Sequence, residues 1–238
     1  MLGLAPEGFE EIDGGSTIEL AVYADEVRVL EIADAFPGAT ATSVEPGWGE
    51  RWREFHHAQR AGGLWIGPPW ESPPVGDLAV VIDPGRAFGT GAHATTRACI
   101  ELLARQPRGR VLDAGCGSGV IAIAAVRLGF DPVHAVDVDP VAVEVTRENA
   151  ARNGVEIDVR ALDARRGDLP QADLLVANIE LATVAGLLAA RPAPRAITSG
   201  YLVGEAPRAE GWMRVATLEL EGWSADVFVT DDDPGRRA

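Results

Sequence analysis

The chain has 238 residues, of which 47% are hydrophobic, and it carries a formal net charge of −15 at pH 7. This length fits one sizeable domain with a small appendage, while the acidic charge argues against binding through nucleic-acid phosphates and favours a cationic partner. No apolar run reaches the roughly 18 residues of a membrane span and no signal peptide is evident, so we expect a cytoplasmic location without membrane contact.

The first 75 residues predict two segments that precede the main domain. Residues 1–45 predict a small α+β domain, because alternating and helical apolar patterns succeed each other over a length too short for an independent core. Residues 46–75 predict a linker, which consists of a helix, a short strand and a proline-rich stretch that prevents regular structure. The predicted strands are 17–23, 39–44 and 64–66, and the predicted helices are 25–36 and 48–60.

Residues 76–238 predict the main domain. From about residue 95, strand and helix patterns alternate, which indicates an α/β fold with a doubly wound, mostly parallel seven-stranded sheet. The last two strands flank a Glu221-Gly222 turn and predict a terminal antiparallel hairpin. The predicted strands are 78–83, 110–114, 133–137, 157–162, 174–179, 195–199, 213–220 and 223–230, and the predicted helices are 95–105, 119–128, 140–152 and 181–190.

A glycine-rich turn lies between the strand at 110–114 and the helix that follows. Its alternating glycines are Gly115, Gly117 and Gly119. Such a turn lets a ligand approach the backbone and exposes amide groups at a helix N-terminus. Asp137 closes the next strand, where a carboxylate can bind two ribose hydroxyls. The combination predicts a site for a nucleoside.

The spacing of the turn separates the possible nucleoside ligands. A dinucleotide fingerprint needs G-x-G-x-x-G, whereas this chain has Val120 after the third glycine. The carboxylate of Asp113 would repel a pyrophosphate but suits the cationic amino group of a methionyl moiety. The pattern therefore favours S-adenosylmethionine and a methyltransferase over a nucleotide-dependent oxidoreductase, a binding module without catalysis, or a glycine-rich turn without a ligand.

Further candidates follow or surround the predicted strands. Asn178 offers acceptor oxygens for the hydrogens of an amine, and Asp163 can accept from an adenine amino group, although either fits a plain turn residue. His93 can contact substrate or bond to backbone, and Trp65 and Trp70 suit packing better than a substrate entrance. For methyl transfer we expect positioning by Asn178, without a metal or a dedicated general base.

Two segments resemble one family of methyltransferases. The first comprises Leu64-Trp-Ile-Gly-Pro-Pro-Trp70 and Ile82-Asp-Pro-Gly-Arg-Ala-Phe-Gly-Thr-Gly-Ala-His-Ala-Thr-Thr-Arg97, and the second is the glycine-rich turn together with Asn178. Over about residues 48–200 the chain is similar to the PrmA family, the bacterial methyltransferases of the large-subunit ribosomal protein L11. The D-P-G-x-A-F-G-T-G-x-H-x-T-T stretch is the specific part of this resemblance.

The resemblance implies S-adenosylmethionine as cofactor and amino groups of a ribosomal protein, on lysine side chains and the N-terminus, as acceptors. Residues implied at the cofactor or the methyl group are Phe88, Thr90, Thr96, Gly115, Asp137 and Asn178. We expect a monomer with a lysine-rich protein partner and no direct nucleic-acid contact. Family members usually have a longer N-terminal domain, which leaves a different protein lysine or a small amine as the alternative acceptor.

Overall fold

The computed structural model describes most of the chain from residue 56 onward and short parts before it. The chain divides into two compact units, Met1–Arg51 and Trp52–Ala238. The sequence-based boundaries at residues 45 and 75 stay a prediction. The described residues are 10–13, 18–21, 29, 32, 35, 36, 39, 40, 56–84, 87, 89–166 and 169–233.

The first unit contains an antiparallel pair of strands, β1 (Glu10–Asp13) and β2 (Ile18–Ala21). The alternation of apolar and polar residues at 17–23 predicts β2, and the structure confirms a strand there. The helix predicted at 25–36 is described only at isolated positions, and the strand predicted at 39–44 lies mostly outside the described residues.

The second unit begins with a small three-stranded sheet. Its strands are β3 (Gln59–Ala61), β4 (Leu64–Gly67) and β5 (Ala79–Val81). The helix predicted at 48–60 is wrong at its C-terminal end, because the last residues of that range pair antiparallel with β4. Gly62 and Gly63 have φ angles of 58° and 80°, as in a two-residue hairpin turn, so this glycine pair closes a hairpin instead of ending a helix. Residues 48–55 lie outside the described residues.

A mixed sheet of seven strands forms the centre of the second unit, as the sequence predicts. Its strands are β6 (Val111–Ala114), β7 (Val133–Asp137), β8 (Asp158–Ala161), β9 (Leu174–Asn178), β10 (Arg195–Leu202), β11 (Met213–Leu220) and β12 (Trp223–Val229). Their order across the sheet is β11-β12-β10-β9-β6-β7-β8. Strands β6 to β10 are parallel, and β12 runs antiparallel to β10 and β11, which confirms the terminal hairpin.

Helices follow the strands of this sheet. The described ones are α1 (Ala94–Ala104), α2 (Val120–Arg127), α3 (Pro140–Asn153) and α4 (Leu181–Ala190). The ends of α3 follow from sequence, because the side chain of Asp139 accepts from the Val141 amide at 2.9 Å and Gly154 adopts φ 63° after the last turn. None of the described helices is both long and apolar enough to cross a membrane.

The core lies on both faces of the seven-stranded sheet. Val111 and Leu112, neighbours on β6, are both fully buried but belong to different hydrophobic clusters. The cluster of Val111 contains residues of α1 and α2, such as Ile123, whereas the cluster of Leu112 contains Leu187 of α4. Strands covered on both faces are typical of doubly wound folds, and ligands of such folds bind at the carboxyl edge of the sheet.

Candidate active site

A cavity of about 680 Å³ opens at the carboxyl edge of the seven-stranded sheet. Because parallel strands end at the same edge, residues that are distant in sequence meet in its wall. Its wall includes many of the residues that the sequence singles out: Thr96, Gly115, Gly117, Asp137, Asp163 and Asn178. The structure therefore brings the glycine-rich turn and the polar ends of three strands together around one space.

The three glycines of the glycine loop, residues 115–119, have backbone conformations that favour glycine. Gly115, Gly117 and Gly119 have φ angles of 79°, 53° and 81°. A Cβ atom built on Gly115 would lie 2.4 Å from Cγ2 of Ile179, so there is no room for a side chain at this position. The loop ends at Gly119, directly before the first residue of α2. Backbone amides can therefore approach a ligand at a helix N-terminus.

Cys116 lies inside the glycine loop and is 6% exposed. Its Sγ accepts a hydrogen bond from the hydroxyl of Thr146 at 3.3 Å. Burial is the main cause that raises the pKa of the Cys116 thiol to about 12. The thiol is therefore protonated at neutral pH, and the residue serves the loop as a small side chain rather than as a nucleophile.

Asp137 connects the end of β7 to the glycine loop. Its Oδ2 accepts from the amide of Gly117 at 3.0 Å, and its Oδ1 accepts from the amide of Asp139 at 3.0 Å. These two bonds fix the carboxylate at the cavity wall. Each carboxylate oxygen has a second lone pair, so Asp137 retains the capacity to accept two hydroxyl groups.

Asn178 ends β9 and is oriented by α1. Its side-chain Nδ2 donates to the hydroxyl of Thr96 at 3.2 Å, and Thr96 is 1% exposed. This bond directs the amide nitrogen toward the helix, so the side-chain oxygen is the atom left to accept hydrogens from a ligand. Both residues line the cavity.

Asp163 lies in the turn after β8 and is held by two arginines. Arg165 donates to it from Nε at 2.9 Å, from Nη2 at 3.0 Å and from its backbone amide at 3.0 Å, and Arg166 lies 3.4 Å away. The hydrogen bonds from Arg165 are the main cause that lowers the pKa of Asp163 to about 2. The carboxylate stays ionised at the cavity wall, and its contact with an adenine amino group remains a prediction.

The structure places Asp113 behind the glycine loop and not among the residues that line the cavity. The side chain is 1% exposed, and its Oδ2 accepts from the amide of Ala122 at 3.1 Å. This amide lies in the first turn of α2, where backbone donors lack partners within the helix. The carboxylate thus supports the start of α2, and its predicted contact with a methionyl amino group stays a prediction.

Comparison with known proteins decides what kind of enzyme carries this cavity. A family model described as "Ribosomal protein L11 methyltransferase (PrmA)" matches residues 19–222. The chain belongs to the ribosomal protein L11 methyltransferase family. It is a methyltransferase, and its fold and its glycine loop are those expected from the sequence.

Individual members of the ribosomal protein L11 methyltransferase family match over most of the chain. The protein of that name from Symbiobacterium thermophilum is 39% identical over 224 residues, which cover 87% of this chain and 74% of the relative. The one from Geobacter sulfurreducens is 43% identical over 93% of this chain and 84% of its own length. The crystal structure of ribosomal protein L11 methylase from Lactobacillus delbrueckii subsp. bulgaricus superposes with a TM-score of 0.64 at 28% identity, covering 73% of this chain and 98% of that one.

The segment that carries the resemblance to the ribosomal protein L11 methyltransferase family is only partly described. Phe88 lies outside the described residues. Thr90 is described and does not line the cavity, and its hydroxyl accepts from the amide of Ala92 at 3.4 Å. Such a local bond to the backbone is typical of a threonine that caps the segment after it. Gly89, between these two residues, lines the cavity through its backbone.

An aromatic residue that the sequence analysis missed lines the cavity. Trp223, the first residue of β12, packs edge-to-face on His93, with ring centroids 5.0 Å apart and an interplanar angle of 67°. His93 also bonds to Thr95, with its Nδ1 2.8 Å from the Thr95 hydroxyl, at the start of α1. In contrast, neither Trp65 nor Trp70 lines the cavity, and Trp65 is 5% exposed, which fits packing for Trp65; the role of Trp70 stays a prediction.

Gly200 is a second cavity residue that the sequence analysis does not single out. It lies at a β-bulge in β10, between Ser199 and Tyr201, with φ 103°. A Cβ atom built there would lie 2.0 Å from the backbone oxygen of Ile179. Here β10 approaches the backbone that follows Asn178, and only a glycine permits that approach. The sequence contains the glycine, but it does not indicate that the backbone of Ile179 lies next to it.

Asp113→Asn is expected to weaken the pH dependence of stability. Burial is the main cause that raises the pKa of Asp113 from 3.8 to about 7 in the folded protein. The folded state therefore holds a proton that the unfolded state releases, so the contribution of Asp113 to stability is greatest below about pH 4 and decreases by up to about 4 kcal/mol as the pH rises through 7. The free energy of unfolding, measured with urea, should decrease less from pH 5 to pH 8 in the variant than in the wild type. An equal decrease in both proteins would contradict a raised pKa of Asp113.

Proposed function

We propose that this methyltransferase transfers methyl groups from S-adenosylmethionine to amino groups of ribosomal protein L11, with lysine side chains among them. One observation carries the proposal: in a chain of this family, the glycine loop, Asp137 and Asn178 line one cavity at the carboxyl edge of the sheet. The positive φ angles of the loop and the free lone pairs of Asp137 fit a cationic nucleoside. A ribosomal acceptor also supports the predicted cytoplasmic location.

The order of the strands supports a direction for the bound cofactor. Neighbouring strands lie about 4.8 Å apart, so groups at their carboxyl ends form a row. From β8 to β12 the row reads Asp163, Asp137, Gly115, Asn178, Gly200 and Trp223. With the ribose at Asp137, the methionyl part extends past Gly115 and the methyl group lies toward Asn178. The acceptor amine then approaches from the side of Gly200 and Trp223.

Methyl transfer requires a neutral amine in line with the methyl group. S-adenosylmethionine supplies a methyl group on a cationic sulfur, which is already a good leaving group. Deprotonating a lysine of ordinary pKa near 10.4 at pH 7 costs roughly 4–5 kcal/mol, and burial in the cavity lowers that cost. The side-chain oxygen of Asn178 can accept a hydrogen from the amine and hold its lone pair in position.

The electrostatics of the chain suit this acceptor. The net charge of −15 attracts the ammonium groups of a lysine-rich protein and repels RNA phosphates. Among the residues lining the cavity, Glu180 adds a carboxylate beside Asn178. A methylation rate that decreases as salt rises would be consistent with this attraction. Absence of direct contact with RNA and a monomeric state remain predictions.

Asn178→Ala is expected to lower the turnover number by roughly 10- to 100-fold, because contacts that form with the reacting amine matter most in the transition state. Affinity for S-adenosylhomocysteine should change by less than about threefold, since other groups bind the cofactor. Thr96→Val is the matched control, because it removes the hydrogen bond between Thr96 and Asn178 but keeps the side-chain amide of Asn178. An unchanged turnover number in Asn178→Ala with both substrates saturating would exclude a catalytic role.

Incubation with labelled S-adenosylmethionine and purified L11 tests the proposed acceptor. The label should appear on lysine side chains or the N-terminus of L11, and mass spectrometry of ribosomal proteins from a deletion strain should show that those groups have lost their methylation. A small amine and an unrelated lysine-rich protein serve as competing acceptors. If L11 from the deletion strain carries the same methyl groups as wild type, the acceptor is a different one.

A further inference from the structure

One face of α3 is polar although it is buried. Thr146, Asn149 and Asn153 follow each other at helical spacing and are 0%, 2% and 7% exposed. Buried polar side chains lower stability unless they are hydrogen-bonded, and every one of these three bonds to backbone outside the helix. The face therefore connects α3 to other parts of the second unit.

The first connection runs from α3 to the glycine loop. The hydroxyl of Thr146 donates to the backbone oxygen of Gly117 at 2.9 Å. The side-chain Nδ2 of Asn149 donates to the backbone oxygen of Ser118 at 2.9 Å. Both acceptors belong to the loop whose glycines line the cavity. Thr146 and Asn149 do not line the cavity themselves.

The second connection runs from α3 to the segment that leaves the small sheet. The Oδ1 of Asn149 accepts from the amide of Asp83 at 3.3 Å. Asn153 pairs with the backbone of Val81 in both directions, since its Oδ1 accepts from the Val81 amide at 2.8 Å and its Nδ2 donates to the Val81 oxygen at 2.7 Å. The side chain of Asn149 is therefore bonded to both the glycine loop and this segment, whereas the side chain of Asn153 bonds to β5 and, within α3, to the backbone oxygen of Asn149 at 2.8 Å.

Ser118 extends the connection to the cavity wall. Its hydroxyl donates to the backbone oxygen of Gly89, a residue that lines the cavity. The side chain of Ser118 is 1% exposed, and its own backbone oxygen is the one bonded by Asn149. The side chain of Asn149 thus joins Asp83 directly to Ser118 of the glycine loop, and Ser118 in turn bonds to the cavity-lining backbone at Gly89.

We propose that Asn149 is a positioning residue for S-adenosylmethionine, which sets the spacing between the glycine loop and the backbone at Asp83 and Gly89 without touching the ligand. This inference rests on the proposed function. The position needs one donor and one acceptor on a short side chain, which asparagine provides and which neither aspartate nor leucine does. Its loss would leave the Ser118 oxygen and the Asp83 amide unpaired, so that both backbones can shift.

Comparison of Asn149→Ala with Asn153→Ala tests the proposal. Both variants remove a buried asparagine from the same helix face, so both should lower the urea midpoint. Calorimetry with S-adenosylhomocysteine, at a temperature where circular dichroism shows both variants folded, should give a Kd raised about tenfold or more for Asn149→Ala. For Asn153→Ala the Kd should rise by less than about threefold. Equal Kd values for the two folded variants would overturn the proposal.

Ser118→Ala provides a second measurement on the loop itself, and it serves alone if Asn149→Ala does not fold. Loss of the hydroxyl should raise the Kd for S-adenosylhomocysteine by about threefold or more. When both residues are replaced, the effects should be clearly less than additive, because each variant breaks the same connection to Gly89. Fully additive effects, or an unchanged Kd in Ser118→Ala, would overturn the proposal. If the wild-type protein itself binds no S-adenosylhomocysteine, the proposed function fails instead.

Discussion

Gly200→Ala is expected to lower the free energy of unfolding by on the order of 3 kcal/mol or more, or to prevent folding. A φ angle of 103° is unfavourable for alanine and costs about 1–3 kcal/mol by itself. The added Cβ would also lie 2.0 Å from the oxygen and 2.7 Å from the carbonyl carbon of Ile179. Because these are backbone atoms, no change of rotamer relieves the contact, and β9 and β10 would have to separate at the cavity.

Gly204→Ala is the matched control for this prediction. Gly204 has a similar φ angle of 91° but no atom within 4 Å of a Cβ built on it. The control therefore measures the conformational cost alone, and the difference between the two variants measures the close approach to Ile179. Urea unfolding monitored by circular dichroism gives both values. Equal destabilisation by the two substitutions would show that the backbones at the cavity separate without cost.

Asp137→Ala is expected to raise the Kd for S-adenosylmethionine by about 100-fold or more. Under the proposed function the substitution removes two acceptor oxygens for the ribose, and hydrogen bonds to a charged group are worth about 1.5–3 kcal/mol each. It also leaves the amide of Gly117 without its partner at 3.0 Å, which loosens the glycine loop. Isothermal titration calorimetry measures the affinity, with S-adenosylhomocysteine as a second ligand.

Two further variants separate the causes of that loss. Asp137→Asn keeps one acceptor oxygen but not the charge, so its Kd should lie between those of the wild type and Asp137→Ala. In the wild type, the Oδ1 of Asp139 caps α3 by accepting from the Val141 amide. Asp139→Ala removes this cap and should lower the free energy of unfolding by about 1 kcal/mol, with unchanged affinity for S-adenosylmethionine. Wild-type affinity in a folded Asp137→Ala variant would exclude Asp137 from the cofactor site.

Local signals in the sequence were sufficient for most of the second unit. The alternation of strands and helices predicts the seven-stranded sheet, and the Asp139-Pro140 start and the Gly154 end predict α3, because caps depend on residues within one turn of the helix. The positions of the glycine loop and of Asp137 were also predicted, because single residue types indicate them: glycine favours a positive φ angle, and an acidic residue marks the end of the strand. Their meeting in one cavity follows from the parallel strand order.

Features that depend on distant parts of the chain were predicted wrongly or missed. The hydrogen bond that Asp113 accepts from the Ala122 amide was missed, because it depends on the burial of Asp113 behind the loop. The hairpin closed by Gly62 and Gly63 was mistaken for the end of a helix, since a glycine pair suits both. Asn149 lies in a helix of ordinary composition, and only the structure shows that Asp83 and Ser118 approach it.

The reversed direction of β12 has a consequence for how the specificity of this enzyme can change. In an antiparallel strand the first residue, not the last, reaches the carboxyl edge, so Trp223 arrives at the site directly from the Glu221-Gly222 turn. Under the proposed function, the Trp223 part of the acceptor side is thus encoded in the terminal hairpin, whereas the residues assigned to the cofactor lie between residues 89 and 179. Insertions or exchanges within the hairpin turn would reshape the acceptor wall and leave the nucleoside contacts intact, which makes the turn a natural point of divergence between enzymes with different protein targets.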